Sequence, residues 1–311
     1  MVVVYFLKLI RWPNLLMIAL VQYLIRLSII ESLNVPHVLN HLEFFLGVLC
    51  SISLAGAGYI VNDLYDIQTD KANKPNRMII GRYMTEKQGW TLYTVLNIIA
   101  IAAGYYVASA SGFDNLWLIP PIAILLLYLY ATDLKRRAVI GNLVVSLLVA
   151  LPVLLVGVFD VLPAAGSGND PLVKSVWQVI LGYSSFALLV NFIREVVKDA
   201  EDYEGDRQAG YKTLAVLFGR DQVRYVILVL LFILLIFTGA YNIYLFENQA
   251  QLFTSLYVLI LVNLPILVIA WRVINARSKA DFARAGLWLK VLMLTGILSM
   301  AVFTIAVKSM I

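Results

Sequence analysis

One stretch places acid groups where they can do chemistry: Asn62-Asp63-Leu64-Tyr65-Asp66-Ile67-Gln68-Thr69-Asp70, at the end of an apolar run from Phe44 to Val61. Asn62, Asp66 and Asp70 are four residues apart, which stacks them on one face of a helix. Three polar groups, two of them carboxylates, at the end of a membrane-length apolar segment are costly unless a cation binds them. Hard oxygen ligands select Mg²⁺, which takes one or two protein carboxylates and completes its shell with water and phosphate. A second stretch, Arg194-Glu195-Val196-Val197-Lys198-Asp199-Ala200-Glu201-Asp202-Tyr203-Glu204-Gly205-Asp206, has similar form. Its Glu195, Asp199, Asp202 and Asp206 are spaced four, three and four, again one helical face. Either stretch alone also reads as a solvated helix end laced with internal pairs. Together, at matching depth, they read as a site for a diphosphate held by magnesium.

The elements that must position these groups are membrane spans. The chain has 311 residues, 61% hydrophobic and 14% charged, against roughly 25% charged in soluble domains. The apolar runs are continuous rather than alternating, which argues for helices and against a membrane barrel. Windows of about 20 apolar residues place nine spans at 13–32, 43–64, 90–109, 116–132, 139–161, 174–198, 222–245, 252–274 and 286–308. The net charge of +5 does not point to nucleic acid, because the basic residues sit in loops between spans. Connections after the even-numbered spans carry most of them, including Lys71, Lys74, Arg77, Arg82, Lys87, Lys135, Arg136, Arg137, Arg207, Lys212 and Arg220. The positive-inside rule then puts the N-terminus and both acidic stretches on the cytoplasmic side and the C-terminus outside. Lys8 and Arg11 precede the first span without a small-residue cleavage site, so it reads as a retained span. The single cysteine, Cys50, lies within a span and forms no intramolecular disulfide.

Several residues around the acidic stretches are candidates for phosphate contact. Arg77 and Lys135 are the strongest, since arginine grips phosphate bidentately and lysine acts as a point charge. Arg194 and Lys198 flank a carboxylate face already sufficient for magnesium, which suggests a second anion there. Internal pairing of Arg194 with Glu195 or Asp199, and of Lys198 with Asp202, is the plainer alternative. Asn14 and Asn142 are further candidates. Within spans, Pro120, Pro121, Pro152 and Pro265 should kink helices, and Gly56-Ala57-Gly58 should let a neighbouring helix approach closely. The stretch 164–171 reads as a flexible external loop. His37 and His41 read as interfacial, Arg26 as snorkelling to the outer face, and Tyr59, Tyr65, Tyr128 and Tyr130 as packing residues that could face a cation.

These residues carry a resemblance. Asn62 to Asp70 resembles the NDxxDxxxD motif of the UbiA superfamily of intramembrane prenyltransferases, and Asp202-Tyr203-Glu204-Gly205-Asp206 resembles its second, DxxxD, motif. Gly210-Tyr211-Lys212-Thr213-Leu214 with Phe218-Gly219 is similar to the segment that follows, and Arg11-Trp12-Pro13-Asn14 to the motif opening the first helix. The resemblance spans essentially the whole chain. It implies an all-α membrane protein, a single domain over residues 1–311, with nine helices around a central cavity and a cytoplasmic cap of loops and short helices. It implies two Mg²⁺ and a prenyl diphosphate donor. The implied metal ligands are Asn62, Asp66 and Asp70, then Asp202 and Asp206, with Asp199 beside them on the same face. Lys135, Arg77 and Lys212 are implied to hold the leaving diphosphate, with Lys135 counted with the carboxylates as catalytic. Arg194 and Lys198 are the expected acceptor contacts, and Asn14 is a further expected substrate-binding residue.

The run from Arg194 to Asp202 is most similar to digeranylgeranylglyceryl phosphate synthases, which implies a prenylated glycerol phosphate as acceptor. The loop Arg77-Met78-Ile79-Ile80-Gly81-Arg82 departs from their pattern, which is richer in proline and small residues. An aromatic acceptor of quinone, tocopherol or chlorophyll/haem type is the alternative. A CDP-alcohol phosphotransferase needs one clustered acidic motif, absent here, and a cation transporter needs mid-span carboxylates. The expected partners are prenyl diphosphate, a lipid-like acceptor and the bilayer, with no nucleic acid.

Overall fold

The computed structural model describes residues 2–73, 78–165, 171–247 and 251–308. Lys74 and Arg77 lie outside these residues, as does most of the 164–171 loop. Among the described residues nine helices are long and apolar enough to cross a membrane: Trp12–Glu31, His41–Tyr65, Glu86–Ser111, Asp114–Thr132, Ile140–Val161, Pro171–Gln208, Arg220–Glu247, Leu252–Ile274 and Lys279–Ala306. Each coincides with an expected span. The sixth differs most, since the expected span stops inside the charged stretch, at residue 198, while the helix continues to Gln208. It runs for 38 residues and carries the whole second acidic stretch. Side chains such as Phe253, Tyr244 and Trp271 are 75, 68 and 65% exposed. So much exposed aromatic surface is tolerable only against lipid.

The chain divides into two compact units. One comprises residues up to Tyr23, Pro36–Lys135 and Pro152–Trp177. Here α1 (Val2–Leu9) precedes the first span, which is α2 (Trp12–Leu24) continued by a π-helical turn, Ile25–Glu31. The second span, α3 (His41–Tyr65), starts from a capping box in which Asn40 accepts from Leu42 and Glu43 and Glu43 accepts from Asn40. It packs on the third span, α5 (Glu86–Ser111), and on α6 (Ile119–Thr132) of the fourth. A Cβ at Gly58 would stand 2.8 Å from Leu127 Cδ2, so the small residues in α3 do admit a close neighbour. Near the acidic end, Ile60 and Leu64 join Leu9, Ile10, Ile80 and Met84 in a buried cluster. At the other end the Asp160 carboxylate accepts from the Leu39 backbone at 2.9 Å.

The other unit comprises Leu24–Val35, Arg136–Leu151 and Gln178 onward. It contains the start of α7 (Ile140–Val156), most of α8 (Pro171–Gln208), the short α9 (Leu214–Phe218), α10 (Arg220–Glu247), α11 (Leu252–Val258), α12 (Leu264–Ile274) and α13 (Lys279–Lys308). Ile193, Val196, Val197 and Ala200 of α8 are buried with Ile227 and Leu231 of α10 and Phe282 and Leu289 of α13. Between apolar helices in lipid, close packing and polar ties supply the attraction. One tie joins Thr304 Oγ1 to the Ser28 carbonyl at 2.5 Å.

Two expectations change. Pro120 and Pro121 stand in the first turn of α6, where proline is tolerated, whereas Pro265 lies inside the eighth span, Leu252–Ile274. A π turn, Leu259–Asn263, sits directly before α12. Pro152 lies inside α7, and its carbonyl accepts from Gln22 Nε2 at 3.1 Å. Arg26 does not snorkel: it is 2% exposed and donates to Glu31 at 2.8 Å. The π turn that contains both residues brings them together, and a partly buried carboxylate replaces water as the partner of the guanidinium.

Candidate active site

In the first unit the acidic stretch is two helices rather than one. α3 ends at Tyr65, Asp66 stands at φ −93, ψ 0, and α4 (Ile67–Asn73) resumes. The Asp66 N–H bonds the Asn62 carbonyl at 3.0 Å and the Asp70 N–H bonds the Asp66 carbonyl at 2.7 Å. The four-residue repeat therefore survives the break, and the three side chains remain one turn apart, as their spacing implies.

Asn62 Nδ2 donates to Asp66 Oδ2 at 2.9 Å. The Lys135 ammonium, carried by a short turn after α6, lies 2.5 Å from Asp66 Oδ1 and 3.3 Å from Asn62 Oδ1. Lys135 is 10% exposed and Asp66 20%, so the pair is largely withdrawn from solvent screening. The amide thus turns its NH₂ to one carboxylate oxygen and its carbonyl to the cation that the other oxygen holds. Two hard oxygens already converge on one positive charge. That donor set fits Mg²⁺, which needs few protein ligands where water and phosphate complete its shell.

A further network braces this motif. Arg11 stands at φ +53 between α1 and α2. Its guanidinium donates to Asp63 Oδ1 at 3.1 Å and lies 4.6 Å from the Tyr59 ring centroid. Asn14 Nδ2 donates to the Tyr59 hydroxyl at 2.9 Å. Asn14 is therefore tied to the motif's helix through Tyr59, and the cation that Tyr59 meets is Arg11. Tyr65 and Tyr128 join hydroxyls at 2.6 Å.

In the second unit α8 keeps Glu195, Asp199, Asp202 and Asp206 on one unbroken helix. Asp199 Oδ2 accepts from Asn142 Nδ2 at 2.9 Å, and Lys279 Nζ lies 3.6 Å from Asp202 Oδ1. Below Asp199 a polar ladder runs between α7 and α8. Ser146 Oγ donates to the Asn142 carbonyl at 2.5 Å and accepts from Asn191 Nδ2 at 3.3 Å. Arg194 Nη1 then reaches Asn191 Oδ1 at 3.4 Å and Glu195 Oε1 at 3.3 Å. Of the two internal pairings open to Arg194, the Glu195 one forms. Its Nη2 and Nε make no hydrogen bond among the described residues. Lys198 and Lys212 are exposed. The Lys212 N–H bonds the Arg136 carbonyl at 2.8 Å, which ties the segment after α8 to the one before α7.

Among the described residues no three His, Cys, Asp or Glu side chains converge as a metal-ligand group. Each unit instead offers an amide with a carboxylate. Sequence reasoning assigned no role to Asp63, Ser146, Asn191 or Lys279. Arg11 and Asp63 lie 52 residues apart, and no helical spacing links them. Ser146 and Asn191 are polar residues in the middle of apolar runs, the signal by which a reading of the sequence could have found them.

Residues 16–304 match the model of the UbiA prenyltransferase family. The chain is 28% identical over 270 residues to the digeranylgeranylglyceryl phosphate synthase of Methanosphaera stadtmanae, covering 86% of this chain and 89% of that one. It is 34% identical to the digeranylgeranylglyceryl phosphate synthase of Sulfolobus acidocaldarius over 71% of this chain and 76% of that one. A solved structure from work on digeranylgeranylglyceryl phosphate synthase in membranes superposes with a TM-score of 0.67 at 22% identity, covering 98% and 99% of the two chains. A UbiA homolog from Archaeoglobus fulgidus bound to GPP and Mg²⁺ superposes with a TM-score of 0.55 at 14% identity, over 96% of this chain and 99% of that one.

Proposed function

The chain belongs to the UbiA prenyltransferase family, and from that premise we propose that it moves a geranylgeranyl-type group from a prenyl diphosphate to a prenylated glycerol phosphate on the cytoplasmic side of the membrane. The enzyme is an integral membrane prenyltransferase. The observation that carries the site assignment is the convergence of Asn62 Oδ1 and Asp66 Oδ1 on the Lys135 ammonium. Asn62, Asp66 and Asp70 would hold one Mg²⁺, and Asp199, Asp202 and Asp206 a second; magnesium bound there would supply positive charge for the leaving diphosphate.

The chain's own residues do the rest. Lys135 offers fixed positive charge to the leaving diphosphate, which favours the bond-breaking state over the substrate. The C1–O bond of the donor breaks and its electrons leave with the diphosphate. The acceptor hydroxyl oxygen then bonds to C1. Its proton passes to a carboxylate of the α8 face, where Glu195 lies against Arg194. Apolar helices keep water from the allylic cation.

The acceptor assignment is supported by the names of the curated relatives and by Arg194, whose remaining donors suit a phosphate. The decisive experiment gives purified enzyme a panel of prenyl diphosphates and acceptors. A glycerol phosphate lipid should be prenylated, and Arg194→Gln should raise its KM by about tenfold or more, as loss of one charged hydrogen bond implies, with the donor KM unchanged. Efficient prenylation of 4-hydroxybenzoate with no turnover of glycerol phosphates overturns the acceptor assignment.

A further inference from the structure

Asp199 is held in the second unit as Asp66 is held in the first. In each, an asparagine Nδ2 donates to the aspartate Oδ2 at 2.9 Å. In the first unit the two remaining oxygens close on the Lys135 ammonium. In the second, Asn142 Oδ1 and Asp199 Oδ1 accept no hydrogen bond from the described residues. The likeness is hidden in the sequence. Asn62 and Asp66 are four apart on one helix, whereas Asn142 and Asp199 are 57 apart on two.

The backbone that delivers Asn142 is strained. Val139 has φ +65, and the Ile140 N–H bonds the Ala138 carbonyl at 2.7 Å across it. This is a γ-turn of the rare kind. A β-branched residue in that region costs roughly 1–3 kcal/mol and persists only where its surroundings fix it. They do so on both sides. Lys212 pins Arg136 at 2.8 Å, and the Leu143 N–H returns to the Val139 carbonyl at 2.8 Å to open α7. A helix start by itself requires no such turn. Here the turn sets Asn142, 6% exposed, against Asp199 and fixes its backbone carbonyl on Ser146.

We propose that Asn142 is the positioning residue of Asp199: it holds Oδ2 so that Oδ1 is presented to a divalent cation, as Asn62 does for Asp66. This rests on the magnesium site described above. A merely structural hydrogen bond between spans, often worth less than about 1 kcal/mol in lipid, affects stability and leaves cation affinity alone.

The test measures Mn²⁺ binding by electron paramagnetic resonance on the detergent-purified protein, with geranylgeranyl thiodiphosphate present. Melting in metal-free buffer is recorded beside it. Loss of a residue that orients a metal ligand typically costs about 10–100-fold in affinity, so Asn142→Ala should weaken one Mn²⁺ by that factor. Asn142→Ser serves if the alanine variant does not fold. Val139→Gly keeps the left-handed φ without strain and leaves the amide in place, so its Mn²⁺ affinity should match the wild type. An Asn142→Ala protein that binds Mn²⁺ as tightly as the wild type overturns the positioning role alone. A wild-type protein that binds no Mn²⁺ overturns the magnesium site as well.

Discussion

On the metal site proposed above, Lys135 stands where the divalent cation would bind, and replacing it with methionine should move two quantities in opposite directions. The ammonium lies 2.5 Å from Asp66 Oδ1 and 3.3 Å from Asn62 Oδ1, with both members of the ion pair at least four-fifths buried. A cation approaching those oxygens must displace it. Two unit charges 4 Å apart at an effective dielectric of 20 interact by about 4 kcal/mol, so even a third of that relief is worth nearly tenfold in affinity. Lys135→Met should therefore bind Mn²⁺ about tenfold more tightly than the wild type when no diphosphate is present. Turnover should fall. Removing one preorganised donor from a developing oxyanion costs about 10²–10³ in kcat, and a diphosphate leaving group is of that kind. Methionine keeps the unbranched stem, so packing around α3 changes little. The assay pairs Mn²⁺ titration of the apo protein with diphosphate release at saturating magnesium. Metal affinity that drops in step with kcat, or a kcat that does not change, would refute the reasoning.

Further expectations follow from the same geometry. Asp66→Ala and Asp202→Ala should each abolish magnesium-dependent turnover, with Asp66→Ala also melting lower because it strands the largely buried Lys135 ammonium, and full activity of purified Asp66→Ala enzyme in EDTA removes Asp66 from the site. Gly58→Val should lower the melting temperature in detergent by an amount equivalent to about 1–3 kcal/mol, because its Cβ alone would stand 2.8 Å from Leu127; unchanged stability denies the close helix approach. Single cysteines at 71–89 and 207–221 should resist an impermeant thiol reagent on intact cells while those at 163–173 react, and the reverse pattern inverts the topology.

The spans were legible because lipid imposes a length and an apolar composition on each of them, and both can be counted along the chain. The acidic motifs were legible for a local reason. Asn62, Asp66 and Asp70 sit at a helical period, and so do Asp199, Asp202 and Asp206. What the sequence hides is of three kinds. Pairs distant along the chain, such as Arg11 with Asp63 and Asn142 with Asp199, leave no periodic trace. Departures from α geometry, at Asp66 and in the π turns, arise from packing that no window of residues records. The paired state of a charge depends on its neighbours in space. Arg26 looks like a snorkelling residue until Glu31 is seen beside it, and Pro120 and Pro121 look like kinks until both are found in a first turn.

The lysine on the first acidic motif has a consequence for the folded protein on its own. A carboxylate withdrawn from water at the mouth of a span is costly when it is left bare. Here Asp66 carries its own counter-charge, and Asp202 has Lys279 within 3.6 Å. On the metal site proposed above, the acids of the folded chain therefore have counter-charges of their own before any metal arrives, so a chelator should silence the protein without unfolding it.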